Sequence, residues 1–132
     1  MNIEWKTIKK IIDHRGKIIT IASDDLNFLI QRIYCLTDLN DSPRGFHAHR
    51  NLRQLMLCLA GSCRIKLDSG YIETIISVNK DSEGLLIEKM IWHELFEFSS
   101  DCVLMFIVSA SYDEEDYIRD YHLFKKMVLN DT

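Results

Sequence analysis

The stretch Arg44-Gly45-Phe46-His47-Ala48-His49 decides how this chain is read, because it sets two imidazoles at i and i+2. On an extended strand those two positions share a face, and Phe46 and Ala48 turn to the other. Paired histidines on one pocket wall have two main uses. They bind a metal through neutral nitrogens, or they exchange protons near neutral pH. Outside a pocket the same pair would be surface or hydrogen-bonded core residues. The expectation here is a strand whose two histidines face one ligand pocket.

The surroundings of this stretch read as strands. Short apolar or β-branched runs at 17–22, 28–36, 54–59, 63–67, 71–78, 85–92, 95–98 and 102–109 alternate with polar turns. The turns include Asp13-His14-Arg15-Gly16, Asn40-Asp41-Ser42-Pro43, Gly61-Ser62 and Asp68-Ser69-Gly70. In Arg64–Leu67 the alternation sets Ile65 and Leu67 on one face and Arg64 and Lys66 on the other. Only the end looks helical. Asp113-Glu114-Glu115-Asp116 supplies acidic first-turn residues, and Tyr117, Tyr121 and Phe124 follow at helical spacing. The pattern predicts an all-β antiparallel barrel or sandwich with a short C-terminal helical segment. A barrel of this size holds one small ligand.

Composition narrows the function classes. The 132 residues fit a single domain spanning 1–132, and 47% apolar with 27% charged residues excludes disordered and low-complexity chains. A net charge of −4 gives no basic surface for nucleic acid. No long apolar run predicts a membrane span, and Met1–Lys6 lacks the layout of a secretory signal, so a cytoplasmic location is expected. Cys35, Cys58, Cys63 and Cys102 stand singly, without the close pairs zinc sites favour. Cys58 and Cys63 flank the Gly61-Ser62 turn, yet burial as small hydrophobes is expected rather than a disulfide.

The spacing His47-x-His49, Gln54, Gly61 resembles the first motif of the cupin superfamily, in which an acidic residue stands where Gln54 does. The second cupin motif is represented only by Trp92-His93 after Ser82-Glu83-Gly84, without its Pro-x-Gly. Gln is a poor metal ligand compared with a carboxylate, so proton transfer is favoured over a metal site with His93 as third ligand. Further blocks sharpen the resemblance: Arg32-Ile33-Tyr34, Gly61-Ser62-Cys63 and the run Tyr112–Tyr121, in that order. Together they are similar to the sugar-nucleotide 3,4-ketoisomerase family, also called WxcM-like, over about residues 4 to 128.

That resemblance implies a cupin-fold isomerase without metal or organic cofactor. It implies a dTDP-linked 4-keto-6-deoxy sugar as substrate and a place in deoxyamino-sugar supply for surface glycans such as lipopolysaccharide O-antigen. By resemblance His47 is the base at carbon 3, His49 its partner in proton exchange, and Tyr34 a hydrogen-bonding group or general acid. Arg44, Arg15, Arg53 and Gln54 are the candidate substrate-binding residues, with Arg15 able to reach a neighbouring subunit. A homodimer with exchanged N-terminal strands is expected, and no nucleic-acid or membrane partner. The rival readings are a metal-dependent cupin enzyme, a 3,5-epimerase of the same substrates, and a non-enzymatic nucleotide-sugar binding module. His14 and His122 carry no motif and are expected at the surface, and Trp92 in the core.

Overall fold

The computed structural model describes residues 1–130. A short strand β1 (Glu4–Lys6) precedes a hairpin of β2 (Lys9–Asp13) and β3 (Gly16–Thr20). Next come β4 (Arg32–Leu36), β5 (Arg44–His49), β6 (Gln54–Ala60), β7 (Ser62–Asp68), β8 (Glu73–Asn79) and β9 (Gly84–Ile87). β10 (Trp92–Phe96), β11 (Val103–Val108), β12 (Tyr117–Ile118) and helix α1 (Tyr121–Asn130) follow. They form two antiparallel five-stranded sheets, ordered β1-β9-β6-β11-β4 and β12-β5-β10-β7-β8, while β2 and β3 pair with each other. The all-β expectation with a C-terminal helix therefore holds. The hydrogen-bond ladder does not close on itself, so the two sheets face each other instead of completing a barrel.

The core between them comes from alternation. Met56 and Cys58 of β6, Leu104 and Phe106 of β11 and Leu85 of β9 meet Ile65 and Leu67 of β7 and Leu95 of β10. Arg64 and Lys66 point outward, as their register predicts, and Lys66 lies near Glu73 and Glu94. β6 is buried on both faces because Leu55 and Leu57 pack outward under Ile8, Ile21, Leu26 and Phe28. That double burial explains its unbroken apolar run. Cys58, Cys63 and Cys102 are buried free thiols, and Cys35 is an exposed one.

Two elements differ from expectation. The run 85–92 is not one strand: β9 ends at Ile87, Met90 takes a φ of 60°, and β10 begins at Trp92. The Met90 amide donates to the His49 carbonyl at 2.7 Å, which ties this turn to β5. The second difference concerns the acidic run. Asp113 caps a 3-10 turn (Glu114–Asp116) by accepting from the Glu115 amide, and Tyr117 then enters a strand, not a helix. The edge of β5 supplies the hydrogen bonds that decide this, pairing Tyr117 with His49 and Ile118 with Ala48. The helix starts later, with Asp120 as its cap, since the Leu123 amide donates to the Asp120 side chain.

Helix α1 is pinned by a polar latch. The Tyr121 hydroxyl donates a short hydrogen bond to the carboxylate of Asp68, which is 1% exposed and also accepts from the Gly70 amide. That carboxylate first, then burial, pushes the Tyr121 phenol up to about 12. Phe124 fills the space against Trp92, Ala48 and Ile118. Tyr121→Phe removes one donor from a buried carboxylate. It should lower stability by about 1–3 kcal/mol, read as a lower urea midpoint at unchanged slope.

Candidate active site

The site begins with a bulge. Gly45 (φ 92°) and Phe46 (φ 59°) lie in the left-handed region, and the pairing of β5 with β10 slips there, from His47 opposite His93 to Gly45 opposite Glu94. A Cβ on Gly45 would lie 2.8 Å from the His93 carbonyl oxygen. Only glycine lets the two strands come this close at a positive φ. The bulge turns Phe46 out to solvent and restores regular pairing at His47. Beyond it Ala48 is fully buried on one face, and His47 and His49 share the other, with ring centroids 5.0 Å apart.

A third histidine joins them. His93, directly across on β10, has its ring 4.6 Å from that of His47, and 6.2 Å from that of His49. Each imidazole has its Nδ1 engaged: His47 with the Gly45 carbonyl at 3.0 Å, His93 with the Ile91 carbonyl at 3.3 Å, and His49 with the Asp116 carboxylate at 3.0 Å. Carbonyl and carboxylate oxygens only accept, so Nδ1 carries the proton in each neutral ring and Nε2 carries a lone pair. Burial is the main force holding them neutral. It pulls His47 down to about 4 and His93 to about 3, with repulsion between the rings adding to it. His49 is also lowered by burial, against the pull of Asp116.

The cavity at His47 has a volume of about 350 Å³. Its floor is Leu36, Leu95 and Phe106, its wall includes Tyr34 and His93, and Arg32, Arg44 and Arg119 line it as well. Tyr34 stacks on Phe106 at 5.0 Å and donates to Gln54 Oε1 at 3.2 Å. Burial pushes the Tyr34 phenol up to about 12, so it stays a donor at neutral pH. His49 lines a second cavity of about 270 Å³ instead. The expected one pocket is thus two adjoining ones, with Arg32 and Tyr117 belonging to both. Tyr117 is the partition: its ring lies 4.9 Å from His47 and 4.4 Å from His49, under the Arg119 guanidinium at 4.2 Å.

The other candidate residues divide. Arg44 lines the His47 cavity as expected. Gln54 is 1% exposed and lines neither cavity, so it holds the Tyr34 hydroxyl and has no surface for a ligand. Arg53 is also not in the cavities, because its guanidinium is committed to Glu88 at 2.7 and 2.9 Å and to the Asn27 carbonyl. Arg15 sits exposed at the tip of the β2–β3 hairpin, paired with Asp13 at 2.7 Å. His14 and His122 are exposed, and Trp92 is core. Sequence reasoning gave Arg32, Arg119, Tyr117 and Asp116 no place in the site. Arg32 was within reach, since it stands two residues before Tyr34 on the same strand face. Arg119 is held by Glu114 at 2.7 and 3.0 Å, a contact that pulls the Glu114 carboxyl down to about 2. Among the described residues no group of three or more His, Cys, Asp or Glu is arranged to hold a metal ion.

The family model described as FdtA: WxcM-like, C-terminal, matches residues 1–129. The chain belongs to this family. A curated relative, the TDP-4-oxo-6-deoxy-alpha-D-glucose-3,4-oxoisomerase of Aneurinibacillus thermoaerophilus, is 47% identical over 122 residues, covering 91% of this chain and 88% of that one. Among solved structures, a histidine-to-asparagine mutant of the 3,4-ketoisomerase QdtA from Thermoanaerobacterium thermosaccharolyticum, in complex with TDP-4-keto-6-deoxyglucose, superposes with a TM-score of 0.93. It is 37% identical, with 98% of this chain and 95% of that chain covered. WlaRA, a TDP-fucose-3,4-ketoisomerase from Campylobacter jejuni, gives a TM-score of 0.91 at 36% identity, with 98% of each chain covered. ChmJ, a 3'-monoepimerase from Streptomyces bikiniensis, shares the fold alone, at a TM-score of 0.75 and 12% identity over 89% of this chain and 69% of that one.

The neutral histidines make stability depend on pH. Unfolded, each titrates near 6.5 (about the free value), against about 4 and 3 for His47 and His93 in the fold. The unfolded chain binds more protons between those values. The contribution is therefore complete above about pH 6.5 and is lost as pH falls through the folded values. Denaturant midpoints should fall steadily from neutral pH toward pH 4, and His93→Gln should flatten that slope.

Proposed function

We propose that the protein is a sugar-nucleotide 3,4-ketoisomerase converting dTDP-4-keto-6-deoxy-D-glucose into a dTDP-3-keto-6-deoxy-D-hexose. The observation that carries this reading is the His47 cavity, which a neutral imidazole with its Nδ1 engaged, a protonated phenol and three guanidinium groups line together. The relatives' names supply the substrate class, and the cavity supplies groups suited to it.

The chemistry is redox-neutral. The carbon-4 carbonyl acidifies the hydrogen on carbon 3. Nε2 of His47 takes that proton, and the freed electron pair becomes the carbon 3–carbon 4 double bond of an enediolate. Tyr34, whose single hydroxyl hydrogen otherwise goes to Gln54, turns it to the oxygen where charge collects. A proton then returns to carbon 4, and the proton of the carbon-3 hydroxyl passes to the carbon-4 oxygen, leaving a ketone at carbon 3 and a hydroxyl at carbon 4. Burial matters here, because an imidazole kept neutral by a dry site is a ready base at neutral pH. Arg44, Arg32 and Arg119 suit the diphosphate, whose oxygens match a planar guanidinium fork. No metal or organic cofactor is called for by these steps.

In this reading residues 1–132 form one catalytic domain that acts as a homodimer, in the cytoplasm, supplying a deoxyamino sugar for surface glycans. No helix among the described residues is long and apolar enough to cross a membrane. The dimer reading is supported by the β2–β3 hairpin, which pairs only with itself and exposes Ile11, Ile12, Ile18 and Ile19. A lone two-stranded hairpin is marginal in water, and a second copy would cover its apolar face. Exchange of this arm would carry Arg15 to the partner. Light scattering should report a mass of two chains, and Ile12→Asp with Ile18→Asp should shift it toward one.

Incubation with dTDP-4-keto-6-deoxy-D-glucose, with the product trapped by an aminotransferase and read by NMR, tests the activity and gives the carbon-4 configuration. The amino group should appear at carbon 3. Retention of the carbon-4 ketone would point to an epimerase, and an unchanged sugar to a binding module. His47→Asn should lower kcat on the order of 10²–10⁴-fold while TDP still binds. Normal turnover by both His47→Asn and His49→Asn would sink the proton-transfer role.

A further inference from the structure

The three imidazoles of the site differ in one respect that geometry alone reveals. His47 and His93 each set Nδ1 against a backbone carbonyl, which holds a tautomer but carries no net charge. His49 sets Nδ1 against a carboxylate. We propose that Asp116 is a positioning residue that makes His49, not His47, the imidazole on which the transferred proton rests while the enediolate exists. The proposal rests on the ketoisomerase reading and deepens it.

Asp116 is held from several sides. Its Oδ1 accepts from the Asn51 amide at 2.8 Å, and its Oδ2 accepts from the Leu52 amide at 3.2 Å and from His49 at 3.0 Å. The carboxylate thus faces His49 purely as an acceptor, which leaves Nε2 of that ring with the lone pair. This Nε2 is buried and has no hydrogen-bond partner, and its residue is 3% exposed. The ring stands edge-on to that of His47. A buried atom with an unused lone pair beside the proposed base is a proton acceptor in waiting.

Charge decides where the proton stays. A cation on a buried ring needs a counter-charge close by. Around His49 the charged and titratable groups are Asp116 and Asp113 from the 112–119 segment, the Tyr117 phenol against its ring, Arg119 beyond it, Arg32 on β4, His47 on its own strand, and His93 on β10. Arg32, Arg119 and a protonated neighbour all oppose a second cation. Asp116 is the carboxylate in direct contact that favours it, Asp113 being turned to the Glu115 amide. Glu114 lies on the His47 side, but its carboxylate is occupied by Arg119 and by the Tyr112 hydroxyl. The step balances without a co-reactant. His47 takes the proton as the carbon 3–hydrogen bond breaks. Nε2 of His49, which has no hydrogen-bond partner of its own, receives it once substrate binding brings the two rings into hydrogen-bond distance, and the Nδ1–H of His49 remains on Asp116. Carbon 3 is oxidised and carbon 4 reduced by the same electron pair.

Histidine ring NMR on the uniformly labelled protein tests this without substrate. In the wild type His49 should protonate at higher pH than His47 and His93. In Asp116→Asn its midpoint should fall by about one pH unit or more, and Asp116→Glu should restore it in part. For turnover, Asp116→Asn should lower kcat on the order of 10²-fold and leave KM within about twofold, with partial rescue by Asp116→Glu. The proposal is overturned if His47 protonates above His49 in the wild type. It is equally overturned if a folded Asp116→Asn protein keeps the wild-type His49 titration. The wild-type comparison needs no substitution to fold. Absence of isomerase activity in the wild type would instead count against the ketoisomerase reading, which the ring titrations do not depend on.

Discussion

The approach of β5 to β10 at Gly45 is the constraint on which the rest of the site depends. With no side chain at Gly45, the His93 carbonyl can sit where a Cβ would otherwise be. The strands close up, the bulge absorbs one extra residue, and three imidazoles from two strands end within a few ångströms of each other. Wider spacing would leave room for water between the rings. Their proton affinity would then return toward that of free histidine. The bulge is therefore an electrostatic device as much as a geometric one, since it keeps the histidines dry.

Around that dry centre the polarity is graded. Neutral imidazoles, a phenol and the apolar Phe106 and Leu95 line it beside a partly buried Arg32, while Arg44 and Arg119 stand exposed. The cations are themselves held: Arg32 lies over the Tyr34 ring at 4.9 Å, and Arg119 over Tyr117 while paired with Glu114. A ligand with an anionic end and an uncharged reactive end meets complementary groups at each. Tyr117, between the two cavities, is braced by Arg119 from above, so whatever draws Arg119 away also loosens that partition.

Much of this could be read locally. The i, i+2 spacing of His47 and His49 marked a shared strand face, Ile65 and Leu67 marked the core side of β7, and Gly61 marked a turn. Gln54 stood out where the cupin motif has a carboxylate, and the structure gives it the task of holding Tyr34. Other residues misled because their partners are far away in sequence. Tyr117 sits at helical spacing from Tyr121 and Phe124, yet the open edge of β5 draws it into a strand. Arg53 looks available until Glu88 is seen beside it. Asp116 reads as one more residue of an acidic cap, a task Asp113 performs, while its true partner is 67 positions away. Long-range pairings of this kind leave no local pattern to detect.

That separation shapes how the site comes into being. Contacts between residues so distant in sequence form late, after loop-closure entropy has been overcome by the sheets. Asp116, Tyr117 and Arg119 all lie on one short segment, held by two residues of pairing to β5, by the bonds of the Asp116 carboxylate to His49, Asn51 and Leu52, and by the Tyr121 latch on Asp68. A brief release of that segment would leave both sheets and the apolar core intact. The arrangement proposed for catalysis would nonetheless be gone. Groups proposed for the chemistry thus sit on a segment the apolar core does not need, so in this reading activity can be lost well before the fold is.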